Sequence, residues 1–187
     1  MTYISQSLTF TSDAILLSSS ISDQTQTYMD WEDQILSASA AYITENGGDI
    51  LEIGFGMGIS ANYIQSHSID THTIVENHPD IIPKAQEWAN NKSNVTIITG
   101  SWYDVKDNLS TYDGIFYDTF GDENMDNFSS SLNNLTKVGT KVTWWNNKTD
   151  ESNYYNIPNV HYQAINVNPP VNNYFNSSIY YLPKKEF

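Results

Sequence analysis

Residues 49–60, Asp49-Ile50-Leu51-Glu52-Ile53-Gly54-Phe55-Gly56-Met57-Gly58-Ile59-Ser60, constrain the fold of this chain more than any other stretch. They read as an apolar strand ending near an acid, then three glycines at alternate positions, then the start of a helix. Glycine lets the backbone turn sharply and approach a ligand closely, because no Cβ intervenes. At the carboxyl end of a strand such a turn builds a pocket for a nucleoside-containing cofactor. The spacing is E-x-G-x-G-x-G, whereas dinucleotide folds use G-x-G-x-x-G to set a helix N-terminus against a pyrophosphate. A second strand-like run, His72-Thr73-Ile74-Val75, ends at Glu76, about 20 residues beyond the glycines, where a carboxylate is expected to hold ribose hydroxyls. Without Glu76, the glycines alone would equally serve a plain βα turn.

The pattern along the chain extends this beginning into an α/β architecture. Residues Tyr3 to Ser19 alternate around Thr11-Ser12-Asp13-Ala14, which predicts an N-terminal hairpin, and Gln24 to Thr27 reads as a polar loop. From Asp30, the positions Trp31, Ile35, Ala38 and Tyr42 recur at helical spacing with Leu36 beside them. Glu45-Asn46-Gly47-Gly48 ends that helix. After the glycine turn a helix runs to about Gln65, then the strand to Glu76, then a helix over Pro79 to Asn90 with Ile82, Ala85 and Trp88 or Ala89 toward the core. Val95 to Ile98 and Tyr112 to Tyr117 read as strands, Asp122 to Leu135 as a helix, and Lys141 to Trp145 as a fifth strand. Two further strand-like runs lie near Val160 to Val167 and Ser178 to Leu182. Strands alternating with helices predict a mostly parallel sheet covered on both faces. Glu52, Glu76, Trp102, Asp118 and Asn146 then fall at the carboxyl edge, where such sheets bind ligands.

Composition narrows the function classes. At 187 residues the length prior is one domain, 1–187, with 1–27 as hairpin and loop and 28–187 as the core. Acids outnumber bases 22 to 8, for a formal charge of −14, and every basic residue is lysine. Such a surface repels nucleic-acid phosphates and attracts cationic small molecules. No apolar run approaches the roughly 18 residues of a membrane span, and Met1 to Phe10 lacks the pattern of a signal peptide. The absence of cysteine removes disulfides and thiolate metal sites, which is compatible with a cytoplasmic setting. His67, His72 and His161 are scattered, so no metal site is expected.

Four segments together resemble the guanidinoacetate N-methyltransferase and arginine δ-N-methyltransferase family of class I S-adenosylmethionine-dependent methyltransferases. Tyr28-Met29-Asp30-Trp31-Glu32 is similar to the family's M-x-W-E segment. Gly48 to Ser60 is similar to G-x-V-L-E-I-G-F-G-M-x-I-S, Asp113 to Phe120 to F-D-G-I-x-x-D-T-[YF], and Val142 to Asn147 to V-x-T-Y-x-N. The resemblance spans roughly residues 28 to 182. It implies a Rossmann-like, mostly parallel seven-stranded sheet with helices on both faces. It also implies S-adenosylmethionine as cofactor, with S-adenosylhomocysteine as product. By that resemblance Tyr28, Glu52, Gly54, Phe55, Gly56, Met57, Gly58, Ile59, Glu76, Asn77, Ser101, Trp102 and Asp118 would contact the cofactor. The first acceptor it implies is a small guanidine such as guanidinoacetate. Glu32 and Asp118 would grip the guanidino group, with Thr143, Asn146 and Asn147 near its far end.

Chemistry asks for the same two carboxylates. A guanidinium ion has a pKa above about 12 and no free lone pair, so one nitrogen must lose a proton as it attacks a methyl carbon. Paired carboxylates fix the planar fork through bidentate hydrogen bonds, and one can accept the proton; Asp118 is the expected base and Glu32 the orienting partner. The start of the chain, Tyr3-Ile4-x-x-x-Leu8-Thr9-Phe10, is similar to that of the arginine δ-N-methyltransferases, although no ankyrin-repeat stretch of their fungal members is present. Asp122-Glu123 adds negative charge near the site, which suits a cation better than a substrate with a free carboxylate. A protein arginine side chain is thus the alternative acceptor, and a non-catalytic cofactor-binding protein the alternative class. The expected assembly is a monomer or homodimer, with no nucleic-acid or membrane partner.

Overall fold

A strand with apolar residues at consecutive positions needs cover on both faces, and Ile50, Leu51 and Ile53 are each at most 1% exposed. The computed structural model describes residues 3–12, 14–17, 26–122, 124–152, 155–170 and 175–187, with 26–30 described by backbone alone. It begins with β1 (Leu8–Phe10), β2 (Ala14–Leu17) and β3 (Gln26–Met29), which form a small antiparallel sheet in that order. Then follow α1 (Asp33–Ile43), β4 (Asp49–Ile53), α2 (Ile59–Gln65), β5 (Thr71–Glu76), α3 (Ile82–Ala89), β6 (Val95–Thr99) and α4 (Trp102–Val105). The chain finishes with β7 (Tyr112–Tyr117), α5 (Phe128–Leu135), β8 (Thr136–Trp144), β9 (His161–Asn166) and β10 (Ile179–Glu186). Seven strands make the main sheet, ordered β6-β5-β4-β7-β8-β10-β9. Pairing is parallel from β6 through β8, while β10 inserts antiparallel between β8 and β9. This is the mostly parallel sheet, with added N-terminal hairpin, that the sequence predicts.

Alternation along each strand sorts residues between the two faces. On one face Ile50 and Phe116 pack with Leu36, Ala40 and Ile43 of α1 and Ile64 of α2, and Ile74 packs with Ala61 and with Ala85 of α3. On the other, Leu51, Ile53, Ile115, Tyr117 and Val142 pack against Phe128, Leu132 and Leu135 of α5. Complete burial of a side chain such as Ile115 or Leu51 is worth roughly 1.5–3 kcal/mol each. Strand order reverses at β4, so the crevice between β4 and β5 on one side and β7 on the other opens at the carboxyl edge.

Several boundaries differ from the sequence reading, each for a local reason. Gln26 and Thr27 belong to β3 because they pair with β2; Gln24 and Thr25 lie outside the described residues, as do Asp13 of the hairpin turn and Glu123. Helix α3 starts at Ile82, because the N–H groups of Ile81 and Ile82 both close onto the His78 carbonyl at 3.0 Å in a preceding turn. Ile81, at 3% exposure, therefore takes the core position expected of Ile82. Helix α5 starts at Phe128, since Asp122 uses its carboxylate on loop partners and a 3-10 turn covers Met125–Asn127. Strand β8 begins at Thr136 and bulges before its regular pairing resumes at Lys141. The Thr140 hydroxyl spans that bulge, donating to the Tyr112 carbonyl and accepting from the Lys137 N–H, which leaves Val138 98% exposed.

Candidate active site

The carboxyl ends of β4, β5 and β7 converge on a cavity of about 800 Å3, counted with its open mouth. The glycine turn forms one wall and uses left-handed backbone, with φ of +95° at Gly54, +53° at Gly56 and +75° at Gly58. A Cβ on Gly54 would overlap the Asp118 carbonyl oxygen, and one on Gly58 would stand 2.6 Å from the Phe55 ring. At Gly56 nothing lies within 4 Å of that position, so the turn is tight against the protein at both ends and open in the middle. Gly54, Phe55, Gly56, Met57 and Ile59 all line the cavity, whereas Gly58 serves the turn and leads into α2.

Glu76 stands opposite, 5% exposed at the end of β5. One carboxylate oxygen accepts from the Phe55 N–H at 2.9 Å, and the other from the N–H groups of Asn77 and His78 at 2.8 and 2.7 Å. Glu76 thereby ties the glycine turn to the β5 edge. An ionised carboxylate offers about four acceptor sites, so capacity remains on the side that lines the cavity. Asn77 and Trp102 line it as well, while Ser101 does not. Tyr28 pairs through its backbone with Ile15; its side chain is outside the described residues.

Glu52 departs most from its expected role. It is fully buried but absent from the cavity wall, with one oxygen accepting from the Ser60 hydroxyl and the other contacting His72 Nε2 at 2.9 Å. Its position within β4, one residue before the strand's end, turns it under the glycine loop toward α2.

Residues not selected from sequence complete the cavity. Tyr3 and Ile15 of the N-terminal region line it, as do Leu36, Thr119, Phe120 and Asp122. The N-terminal segment is fastened to the loop after β5: the Leu8 N–H donates to Asp80 Oδ2 at 2.9 Å, and His78 Nε2 meets the Gln6 carbonyl at 3.1 Å. Because His78 Nδ1 accepts from the Asp80 N–H, Nε2 is the donor. Asp122 Oδ2 gathers the Trp102 indole N–H at 2.5 Å and the Tyr117 hydroxyl at 2.6 Å. No local periodicity marks these residues; tertiary contact assembles them.

Asp118 follows β7 directly, its N–H donating to the Ile53 carbonyl at 2.9 Å. Burial, with the Glu52 charge as second cause, pushes its carboxyl from 3.8 up to about 7. Glu32 is 4% exposed at the N-cap of α1 but makes no capping bond with its side chain. Both acids lie within electrostatic reach of the Tyr180 hydroxyl on β10, whose pKa is raised well above 10 by burial first and then by Asp118 and Glu32. That hydroxyl accepts from the Asn146 N–H at 2.7 Å. Tyr180 reaches this point through the antiparallel insertion of β10, which no local sequence signal announces.

The other acceptor-side expectations are met differently. The Thr143 hydroxyl is buried and donates to the Pro183 carbonyl at 2.6 Å, holding β8 to β10. Asn146 is 2% exposed; its amide donates to the Tyr181 carbonyl at 2.9 Å and its carbonyl accepts from the Lys148 N–H at 3.0 Å. Both therefore organise the chain and do not line either cavity. Asn147 is exposed and borders a second cavity of about 320 Å3 with Tyr117, Thr119, Met125, Trp145 and Tyr155. Thr119, which adjoins Asp118, lines both cavities. Among the described residues no cluster of three or more His, Asp or Glu could hold a metal ion, and no helix is long and apolar enough to cross a membrane.

Comparison with known proteins agrees with this arrangement. A family profile described as guanidinoacetate N-methyltransferase matches residues 24–150. The chain is 30% identical over 221 aligned positions to a protein named protein arginine N-methyltransferase 2 from Kluyveromyces lactis, covering 100% of this chain and 53% of that protein. It is 38% identical to the Aspergillus fumigatus protein of the same name, over 66% of this chain and 30% of that one. The Yarrowia lipolytica counterpart is 35% identical over 67% of this chain and 28% of its own length. The chain thus spans about half or less of these curated relatives. Among solved structures, precorrin-6y C5,15-methyltransferase from Geobacter metallireducens has a TM-score of 0.64 at 12% identity, covering 81% of this chain and 86% of that one. Spermidine synthase from Thermotoga maritima also reaches 0.64, at 10% identity, over 96% and 72% of the two chains. At such identities the likeness concerns the fold alone, the Rossmann-like fold of methyltransferases.

Proposed function

The chain belongs to the guanidinoacetate N-methyltransferase family, and from that premise we propose that it is an S-adenosylmethionine-dependent N-methyltransferase acting on a guanidino nitrogen. The observation that carries the reading is Asp118: a desolvated acid with a carboxyl near 7, beside the glycine turn and within electrostatic reach of the same Tyr180 hydroxyl as the buried acid Glu32. S-adenosylmethionine supplies an electrophilic methyl group on a sulfonium sulfur and leaves as S-adenosylhomocysteine. Its fit is supported by the open middle of the turn at Gly56 and by the Glu76 carboxylate lining the same cavity. The turn with Met57 and Ile59 would take the amino-acid end, Glu76 and Asn77 the ribose hydroxyls, and Trp102 the adenine.

Asp118 and Glu32 would receive the guanidinium group as a planar cation, each carboxylate accepting N–H groups. Binding a cation beside Asp118 lowers its carboxyl from about 7 and ionises it. As the nitrogen attacks, Asp118 takes the proton; an acceptor poised near the working pH is the efficient case. Alignment of the reacting atoms by the two acids and the turn is the chain's main contribution to the rate.

For the acceptor, an arginine side chain of a protein now stands ahead of free guanidinoacetate. The two groups assigned to the acceptor, Asp118 and Glu32, are both acidic, and Asp122 lies nearby in the cavity wall, which favours a cation without its own carboxylate. The fungal relatives are named for protein arginine. The small guanidine remains the second reading, on the description of the family profile. We propose further that residues 1–187 act as one methyltransferase domain, monomeric or homodimeric and cytoplasmic.

Calorimetric titration tests this. S-adenosylhomocysteine is added first, then an arginine-containing peptide, free arginine or guanidinoacetate. Peptide binding that disappears in Asp118→Ala is the expected result. Cofactor-product binding with no guanidine bound would remove the acceptor assignment, and no binding of either would remove the enzyme reading.

A further inference from the structure

Glu52 opens the glycine motif, yet the cavity does not use it. Its two oxygens accept from the Ser60 hydroxyl of α2 and from His72 Nε2 at 2.9 Å, and both Glu52 and His72 are fully buried. The His72 ring stands edge-on to Trp88, with centroids 6.2 Å apart. Its Nδ1 faces the Gln65 amide nitrogen at 3.3 Å, and its Nε2 faces Glu52.

Register relates Glu52 to the site. Glu52 lies opposite Phe116 on the neighbouring parallel strand, two residues before Asp118. Successive side chains alternate between faces, so Glu52 and Asp118 sit on the same face of adjacent strands, one pleat apart. The β7 end is locked to β4 there by the Asp118 N–H on the Ile53 carbonyl. The other titratable groups around Asp118 are Glu32 before α1, Glu76 at the end of β5, Asp122 after β7 and Tyr180 on β10. Glu76 accepts from three donors at 2.7–2.9 Å, and Asp122 from three at 2.5–2.8 Å. Glu52 has two partners, the Ser60 hydroxyl and His72 Nε2.

We propose that Glu52, held by the His72 ring and the Ser60 hydroxyl, is a positioning residue that keeps a buried negative charge one pleat behind Asp118 and makes Asp118 a stronger proton acceptor. The inference rests on Asp118 as the base of the proposed reaction. Burying a charge here costs stability that an apolar residue would not, and the two donors reduce that cost. The raised carboxyl of Asp118, for which Glu52 is the second cause after burial, follows from the same geometry.

Carboxyl 13C NMR of the ligand-free protein tests it directly, with the Asp118 resonance identified by its loss in Asp118→Asn. Glu52→Gln is expected to lower the Asp118 midpoint by about one pH unit. His72→Gln, which keeps an uncharged donor, should leave it within about 0.3 unit. An unmoved midpoint in Glu52→Gln overturns the proposal. So does a clear rise in His72→Gln, because that would mean the imidazole had been charged. Should Glu52→Gln not fold, Glu52→Gln combined with His72→Gln, which sets two uncharged amides against each other, carries the same expectation of a lower midpoint. The acidic limb of kcat/KM, measured alongside, separates the two readings. A limb far from the NMR midpoint removes Asp118 as base while the effect of Glu52 on it stands.

Discussion

The proposed cofactor side and the proposed acceptor side of this protein are built by different means. On the cofactor side, Gly54 to Ile59 is one continuous turn, and Glu76, at the end of the neighbouring strand, is bonded to it through the Phe55 N–H. On the acceptor side, Glu32 precedes α1, Asp118 follows β7, and Tyr180 arrives on a strand that inserts antiparallel after about 60 further residues of chain. The first side is local and backbone-driven; the second depends on three distant segments meeting. A substitution in the turn therefore disturbs fold and ligand together, whereas acceptor-side changes can separate chemistry from stability.

Asp118→Asn should sharpen that contrast most. Turnover is expected to fall by about 10³-fold, while S-adenosylhomocysteine affinity by calorimetry changes little. Stability should move the other way. With its carboxyl raised from 3.8 to about 7, folded Asp118 keeps a proton that the unfolded chain has already released. Its contribution to stability therefore falls as pH rises from about 4 to 7. The variant should be more stable than the parent at pH 8 by roughly 2–4 kcal/mol, with the gain vanishing toward pH 4, in denaturant titrations at several pH values.

Gly54→Ala should do the reverse on the cofactor side. The required φ of +95° and the overlap with the Asp118 carbonyl predict a loss of about 3 kcal/mol in unfolding free energy. Cofactor-product binding should be lost along with it. Unchanged binding would show that the turn is not the ligand cradle. Asn146→Ala removes an amide that donates to Tyr181 and accepts from Lys148. About 2 kcal/mol should be lost, with KM for the acceptor raised more than kcat is lowered if residues 146–150 border the substrate. Thr143→Val is the mildest, at about 1 kcal/mol for the bond to Pro183. Steady-state kinetics should find the acceptor KM unaltered, and a raised KM would return Thr143 to the substrate.

Legibility from sequence followed the same division. The turn, the strand ending at Glu76 and the whole of β7 could be read because each is a short, continuous pattern with its own backbone demands. Thr143 and Asn146 carried the right residue types in a family-like segment, but folding committed their polar groups to Pro183, Tyr180 and Tyr181. Glu52 was read as part of the cofactor pocket from its place in the motif, and its strand position turned it instead toward His72 and Ser60. Asp122 is legible as negative charge near the site, but nothing local in the sequence brings Tyr3, Ile15 or Tyr180 to the cavity or its acids.

By itself the sequence determined the alternation of strands and helices, the glycine turn, and the presence of acids at strand ends, since these depend on backbone freedom and near-neighbour periodicity. Tertiary structure alone decided which acids face the cavity and which are buried behind it, and what proton affinity each takes. Those properties depend on desolvation and on charges from other strands, and both exist only once the sheet is assembled.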